Sequence, residues 1–142
     1  MKSRLYLCRI AACAAFAIAL VDCYSQTYPV KPIRMVVPFP PSGGTDVIGR
    51  LIAQHLTNTV GQSVIVDNRA GAAGRIGAEQ VAHAAADGYT LLMATSTVVI
   101  TAPVLFPQLP YDPIKDFAPI SPIASGSYVL VVHPSLPARS VT

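Results

Sequence analysis

Apolar residues in this chain alternate between short continuous runs and helical spacing. The first run, Ile33–Val37, is rich in β-branched residues and stops at Pro38, which predicts a buried strand. After it, apolar residues recur at steps of three and four while polar residues occupy the other face, which predicts an amphipathic helix. Gly61 follows where a left-handed cap is favoured. The apolar positions of this helix are Val47, Ile48, Leu51, Ile52, Leu56 and Val60.

The same unit then repeats. Residues 64–66 predict a second strand, followed by a glycine-containing loop over 67–74 and a helix of small residues over 75–85. The Asp87-Gly88 turn signal precedes a third strand over 89–93. Strands that alternate with helices at a spacing of about 30 residues predict a parallel sheet with right-handed crossovers. The predicted fold class is therefore α/β.

The second half of the chain is harder to assign. Residues 98–106 are compatible with a helix or a strand, although Pro103 argues against a long helix. Residues 118–124 are compatible with a strand that prolines interrupt, and residues 128–132 predict a clearer strand.

The first 25 residues differ from the rest. They contain three basic residues, then a 12-residue apolar run, and all three cysteines of the chain. The apolar run is too short to span a bilayer of about 30 Å, so this pattern predicts a secretory signal peptide, cleaved near Ser25. A lipoprotein anchor at Cys23 is the alternative, and it is disfavoured because Asp22 stands where small residues are the rule. We therefore expect export from the cytoplasm.

Removal of that segment changes the chemistry available to the protein. The remaining residues include seven basic and six acidic side chains, so the net charge falls from +3 to +1, and no cysteine remains. Disulfides, thiolate catalysis and zinc–thiolate sites are excluded, and no basic patch indicates nucleic-acid binding. No histidine pair has metal spacing, and the sequence contains no phosphate loop or nucleophile elbow. We expect no cofactor, no metal and no enzymatic activity.

The strand-to-helix loops of a parallel sheet all leave from its carboxyl edge. Three loops, 38–46, 67–74 and 94–97, are therefore expected to converge. The first places a Ser-Gly-Gly sequence before a helix that starts at Gly44 or Thr45. A helix N-terminus attracts anions because its first N–H groups are unpaired and its dipole end is positive.

Hydroxyl groups add to these backbone donors. Ser42 and Thr45 lie in the first loop, and Thr95, Ser96 and Thr97 lie in the third. Together with the glycines, which let a ligand approach the backbone, they predict a small carboxylate held by neutral donors.

A purely structural interpretation remains open at this point. Ser42 or Thr45 could simply cap the helix, and Asp46 could only complement its dipole. The charge of Asp46 would repel a carboxylate, although it could accept a hydrogen bond from a ligand ammonium or hydroxyl group. Asn68 and Arg69 follow a strand and could face the crevice, but a turn-forming Asn and a solvated Arg are equally open.

Several ordered motifs resemble one family of proteins over residues 28–142. They are YPVKPIR from residue 28, VVPFPPSGGTD from 36, VDNRAGAAG from 66, IGAE from 76, ADGYTLL from 86 and LPYDPIKDFAP from 109. These resemble the tripartite tricarboxylate transporter receptors, also called the Bug family. The resemblance implies a type II-like periplasmic-binding-protein fold of two α/β lobes that close on a small carboxylate. It also implies a monomeric receptor that serves the membrane subunits of such a transporter, or a sensor protein.

The resemblance further implies which residues contact the ligand. They come from the first and third loops: Phe39, Ser42, Gly43, Gly44, Thr45, Asp46, Thr95, Ser96 and Thr97.

Family proteins run to more than twice the length of this chain, which implies a truncated two-lobe fold. We expect residues 26–124 to form a partial first lobe, and residues 125–142 to form the crossover and the first strand of a second. A truncated, inactive remnant of such a receptor is the main alternative. A secreted α/β hydrolase or transferase is disfavoured because the sequence shows no nucleophile–base pair.

Overall fold

The computed structural model describes residues 28–127 and 129–137. The predicted signal peptide and Cys23 lie outside these residues. Three strands form a parallel sheet in the order β2-β1-β3, which confirms the predicted α/β class. The strands are β1 (Ile33–Val37), β2 (Val64–Asn68) and β3 (Thr90–Leu92).

The first strand is the centre of the core because it has a neighbour on each side. Met35 is paired with Val66 of β2 and with Leu91 of β3. Val36 and Val37 are completely buried, as expected of a central parallel strand covered on both faces.

The first helix, α1 (Gly44–Val60), ends as predicted at Gly61, whose φ of 72° is left-handed and whose N–H donates to Thr57 O. Its buried face differs from the prediction. Val47 and Leu51 are 50% and 62% exposed, whereas the small residue Ala53 is buried.

A close approach of α1 to the sheet explains this difference. A Cβ on Gly49 would lie only 3.1 Å from Val37 Cγ2, so the contact line of the helix follows its small residues. Ile48, Ile52 and Leu56 flank that line and are half-buried.

The second crossover contains a short 3₁₀ turn (Ala72–Gly74) and helix α2 (Arg75–Ala82). The helix stops three residues before the predicted end. The third strand leads into a π-helical turn (Thr97–Thr101) and then α3 (Ala102–Leu105). The ambiguous segment is thus helical, because a proline is tolerated in the first turn of a helix.

The last described part of the chain contains neither of the strands predicted there. Residues 118–124, which were compatible with a strand, form none. Residues 129–132 form none either, so the strand predicted over 128–132 is wrong for its described residues. Prolines interrupt the first segment, and a strand without a paired neighbour is not stable alone. Val129 and Val131 are 80% and 81% exposed. The assignment of residues 125–142 to a second lobe stays a prediction.

Within residues 28–127 and 129–137, no helix has the length and apolar character needed to cross a membrane.

Candidate functional site

Three loops leave the carboxyl edge of the sheet. The first loop (residues 38–46) includes the first turn of α1, the second loop covers residues 69–74, and the third loop covers residues 94–97. A Cβ on Gly74 would lie 2.8 Å from Val98 Cγ2 and 3.3 Å from Phe39 Cζ. The end of the second loop is therefore enclosed between the first loop and the residue that follows the third.

The first loop presents backbone N–H groups at the start of α1. The first helical hydrogen bond runs from Val47 N to Gly43 O at 3.0 Å. Among the described residues, the N–H groups of Gly43, Gly44 and Thr45 have no acceptor. Gly43 and Gly44 are exposed, so these donors face solvent at the positive end of the helix dipole.

Neither hydroxyl of the first loop caps the helix. The N-cap is Gly43, and it has no side-chain capping bond, so the alternative in which Ser42 or Thr45 caps α1 is wrong. Ser42 precedes the N-cap residue and has a left-handed φ of 68°, whereas Thr45 is already the second residue of the helix. The side chain of Asp46 instead reaches back to the N–H of Ser42 at 2.9 Å.

Asp46 is almost completely buried, and three donors surround its carboxylate. Oδ2 accepts from Ser42 N and from Arg50 Nε, each at 2.9 Å, and Oδ1 accepts from Asn68 Nδ2 at 2.8 Å. These hydrogen bonds, that of Arg50 first, lower the pKa of Asp46 from 3.8 to about 2. We call Asp46, Arg50 and Asn68 the ionic clasp.

The ionic clasp ties the first loop to the end of β2. Asn68 Nδ2 also donates to Phe39 O at 3.1 Å, and Arg50 Nη2 donates to Asn68 Oδ1 at the same distance. From the sequence alone, Asn68 is compatible with the crevice or with a turn, and nothing singles out Arg50 as a site residue. The available signal was the i, i+4 spacing of Asp46 and Arg50, which favours an ion pair on a helix.

The third loop is held by its backbone. Thr95 O accepts from Val98 N at 3.0 Å and from Val99 N at 3.1 Å. The Oγ1 atom of Thr95 is buried and has no hydrogen-bond partner in the described part of the chain. Ser96 is exposed and Thr97, which begins the π-helical turn, is half-buried.

In the part of the chain that the structure describes, the first-loop donors without an acceptor are uncharged backbone N–H groups. Among the described residues, no three His, Cys, Asp or Glu side chains come together as metal ligands would. A groove of about 270 Å³ lies elsewhere, beside β1 and β2. Its walls include the ion pair of Arg34 and Asp67, so the charge of Arg34 is already balanced there. The first loop is the better candidate, because the N–H groups of Gly43, Gly44 and Thr45 have no acceptor among the described residues.

A family of known proteins matches about two thirds of the chain. Residues 48–142 match the family described as "Tripartite tricarboxylate transporter family receptor". The chain belongs to this family. Protein BugT of Bordetella pertussis is 46% identical over 113 residues, which are 79% of this chain and 35% of that protein.

Several solved structures of similar proteins share the fold of this chain. A periplasmic transporter superposes with a TM-score of 0.61 at 49% identity, over 62% of this chain and 30% of that one. MatC from Rhodopseudomonas palustris, solved with bound malate, superposes with a TM-score of 0.60 at 40% identity, over 68% of this chain and 33% of MatC. Rpa4515 of R. palustris, solved with adipate, superposes with a TM-score of 0.59 at 41% identity, over 61% of this chain and 29% of Rpa4515.

These relatives are solute-binding receptors rather than enzymes. The chain spans about a third of the length of the curated relatives it matches, at 35% for BugT and 32% for a relative from Bordetella bronchiseptica.

Proposed function

We propose that this protein binds a small carboxylate at the first and third loops and acts as a periplasmic receptor. The observation that carries the proposal is the row of N–H groups without acceptors at the start of α1, from Gly43 to Thr45. Two relatives with the same fold were solved with the dicarboxylates malate and adipate.

The electrostatics of the first loop suit an anion despite the nearby carboxylate. Asp46 would repel a ligand carboxylate if its charge were unpaired. Arg50 neutralises that charge, and its Nε lies 2.9 Å from Asp46 Oδ2. The N-terminus of α1, with its positive dipole end and its unpaired N–H groups, then supplies the dominant local field.

We assign different roles to the residues of the site. Direct donors to the carboxylate are backbone N–H groups of the first loop and hydroxyl groups of both loops, and the ring of Phe39 forms an apolar wall. Asp46 positions the first loop through the ionic clasp instead of contacting the ligand. The proposed donors are Ser42, Gly43, Gly44, Thr45, Thr95, Ser96 and Thr97.

Family membership supports the biological setting of the proposal. A family receptor of this kind delivers its ligand to the membrane subunits of a tripartite tricarboxylate-type transporter, or to a sensor protein. We propose the same class of partner and the periplasm as the location.

Substitutions at Gly44 test the proposed binding mode without removing a side chain. Gly44 is the first residue of α1, a position that accepts proline, and Gly43 has the extended ψ of 164° that proline requires of its predecessor. Gly44→Pro removes one N–H donor. Gly44→Ala keeps it, and no atom lies within 4 Å of the added Cβ.

Isothermal titration with malate and adipate compares the parent chain with both variants. The parent and Gly44→Ala bind alike, whereas Gly44→Pro binds about tenfold more weakly, the loss expected for one hydrogen bond to a charged group. Equal affinity of Gly44→Pro and Gly44→Ala would contradict a role for this N–H. Absence of binding by the parent would contradict the proposed function.

A further inference from the structure

Pro103 removes the backbone N–H that the π-helical spacing would offer to a buried carbonyl. In such a turn a carbonyl accepts from the N–H five residues later, as Thr97 O does from Ala102 N. By this spacing Val98 O would accept from residue 103, which is proline and has no N–H. Val98 is completely buried, so water does not replace the missing donor. The donor has to come from another part of the chain.

Tyr111 supplies that donor. Its phenolic O–H donates to Val98 O at 2.8 Å, and its side chain is only 5% exposed. The ring packs in a cluster with Ala78 and Val98. It also contacts the ring of Phe117 edge-on, with 5.7 Å between the ring centroids. Burial raises the pKa of Tyr111, so the hydroxyl remains a donor at neutral pH.

The motif LPYDPIKDFAP builds the turn that presents this hydroxyl. Asp112 Oδ1 accepts from Ile114 N at 2.9 Å and from Lys115 N at 3.1 Å. Asp112 N donates in turn to Asp116 Oδ2 at 2.6 Å. The residue next to Tyr111 is therefore fixed by hydrogen bonds on both its backbone and its side chain.

Val98 connects Tyr111 to the third loop. Its N–H donates to Thr95 O, its carbonyl accepts from Tyr111, and its side chain fills the space beside Gly74. A shift of the Val98 backbone therefore moves Thr95 and the loop that contains it.

We propose that Tyr111 is a positioning residue for carboxylate binding, because its O–H replaces the N–H that Pro103 lacks and so holds Val98 and the third loop in place. The inference rests on the proposed function, since it assumes that the third loop contacts the ligand.

Three variants of the chain test it by titration with malate: Tyr111→Phe, Pro103→Ala and the combination of both. Tyr111→Phe keeps the ring and removes the donor, and we expect the affinity for malate to fall about tenfold. Pro103→Ala restores a backbone N–H for Val98 O. In that background we expect Tyr111→Phe to change the affinity by less than about twofold, since the carbonyl has a second donor.

Tyr28→Phe is the matched control. The Tyr28 O–H donates to Gly88 O at 2.6 Å, close to the amino end of β3 and away from the loops. The same chemical change there leaves the affinity for malate unaltered.

The outcomes separate the inference from the proposed function. If the parent binds malate and Tyr111→Phe lowers only the melting temperature, Tyr111 is merely structural and the inference is wrong. If Tyr111→Phe lowers the affinity for malate equally with Pro103 present and with Pro103→Ala, the inference is also overturned. If the parent does not bind malate, the proposed function and the inference both fail. Should Tyr111→Phe not fold, a folded and binding double variant supports the inference, and an unfolded double variant contradicts it.

Discussion

The first and third loops are fixed by different kinds of interaction. The first is held by a buried carboxylate, Asp46, which pairs with Arg50 and Asn68. The third is held by a neutral hydrogen bond between Tyr111 and Val98 inside an apolar cluster. An ionic clasp depends on pH because its carboxylate must stay charged, whereas a phenol–carbonyl bond does not. The two halves of the candidate site should therefore respond differently to acid.

The largest effect is expected at Gly74, which lies between Phe39 of the first loop and Val98 next to the third loop. Gly74→Ala forces a left-handed φ of 90° on alanine and places Cβ 2.8 Å from Val98 Cγ2. Strain and overpacking together cost about 2–4 kcal/mol of unfolding free energy, measured by urea denaturation.

Gly61→Ala is the control for backbone strain alone. Its φ of 72° is also left-handed, but no atom lies within 4 Å of the added Cβ, so the expected cost is about 1 kcal/mol. Equal costs at the two glycines would mean that the loops are not packed together at Gly74.

The next effect separates the two loops by their pH dependence. Because the folded pKa of Asp46, about 2, lies below the ordinary 3.8, its ionic clasp stabilises the fold above pH 3.8. That contribution is lost as the pH falls from 3.8 through about 2. Asp46→Asn should therefore lower the melting temperature by several degrees near neutral pH and by much less in strong acid.

Tyr111→Phe provides the contrast. The Tyr111 hydroxyl of the parent is neutral over the same pH range. The difference in melting temperature between Tyr111→Phe and the parent should therefore stay constant between neutral and acidic pH. Parallel pH profiles for Asp46→Asn and Tyr111→Phe would contradict the distinction between an ionic and a neutral support.

The smallest effect concerns the charge on Asp46 itself. Arg50→Lys keeps the positive charge but cannot present two fixed N–H groups to Asp46 and Asn68 at once. Because the hydrogen bond from Arg50 is the main cause of the lowered pKa, we expect the pKa of Asp46 to rise from about 2 toward 3.8. Titration of the carboxyl ¹³C signal measures it. An unchanged pKa would show that Asn68 and Ser42 suffice.

The regular part of the fold was predictable because each element carries its own signal. The run Ile33–Val37 is apolar and ends at a proline, and the first helix ends at a glycine. The meeting of loops at one edge follows from parallel topology alone. The buried face of α1 was not predictable, since it depends on how closely Gly49 approaches the sheet.

The contacts that hold the first and third loops in place could not be predicted from the sequence, for a different reason. Asn68 is 22 residues from Asp46, and Tyr111 is 13 residues from Val98. No local periodicity connects such pairs, and both contacts exist only after the chain has packed. Pro103 shows the same limit, because its missing N–H matters only once the π-helical turn has formed.

The most direct measurement is a ¹H–¹⁵N spectrum of the chain during titration with malate, with the neutral diamide of malate as control. We predict saturable shifts of the backbone amides of residues 43–45 and 95–97 with malate and none with the diamide. Shifts at neither loop, or equal shifts with both compounds, would contradict a carboxylate site at this edge of the sheet.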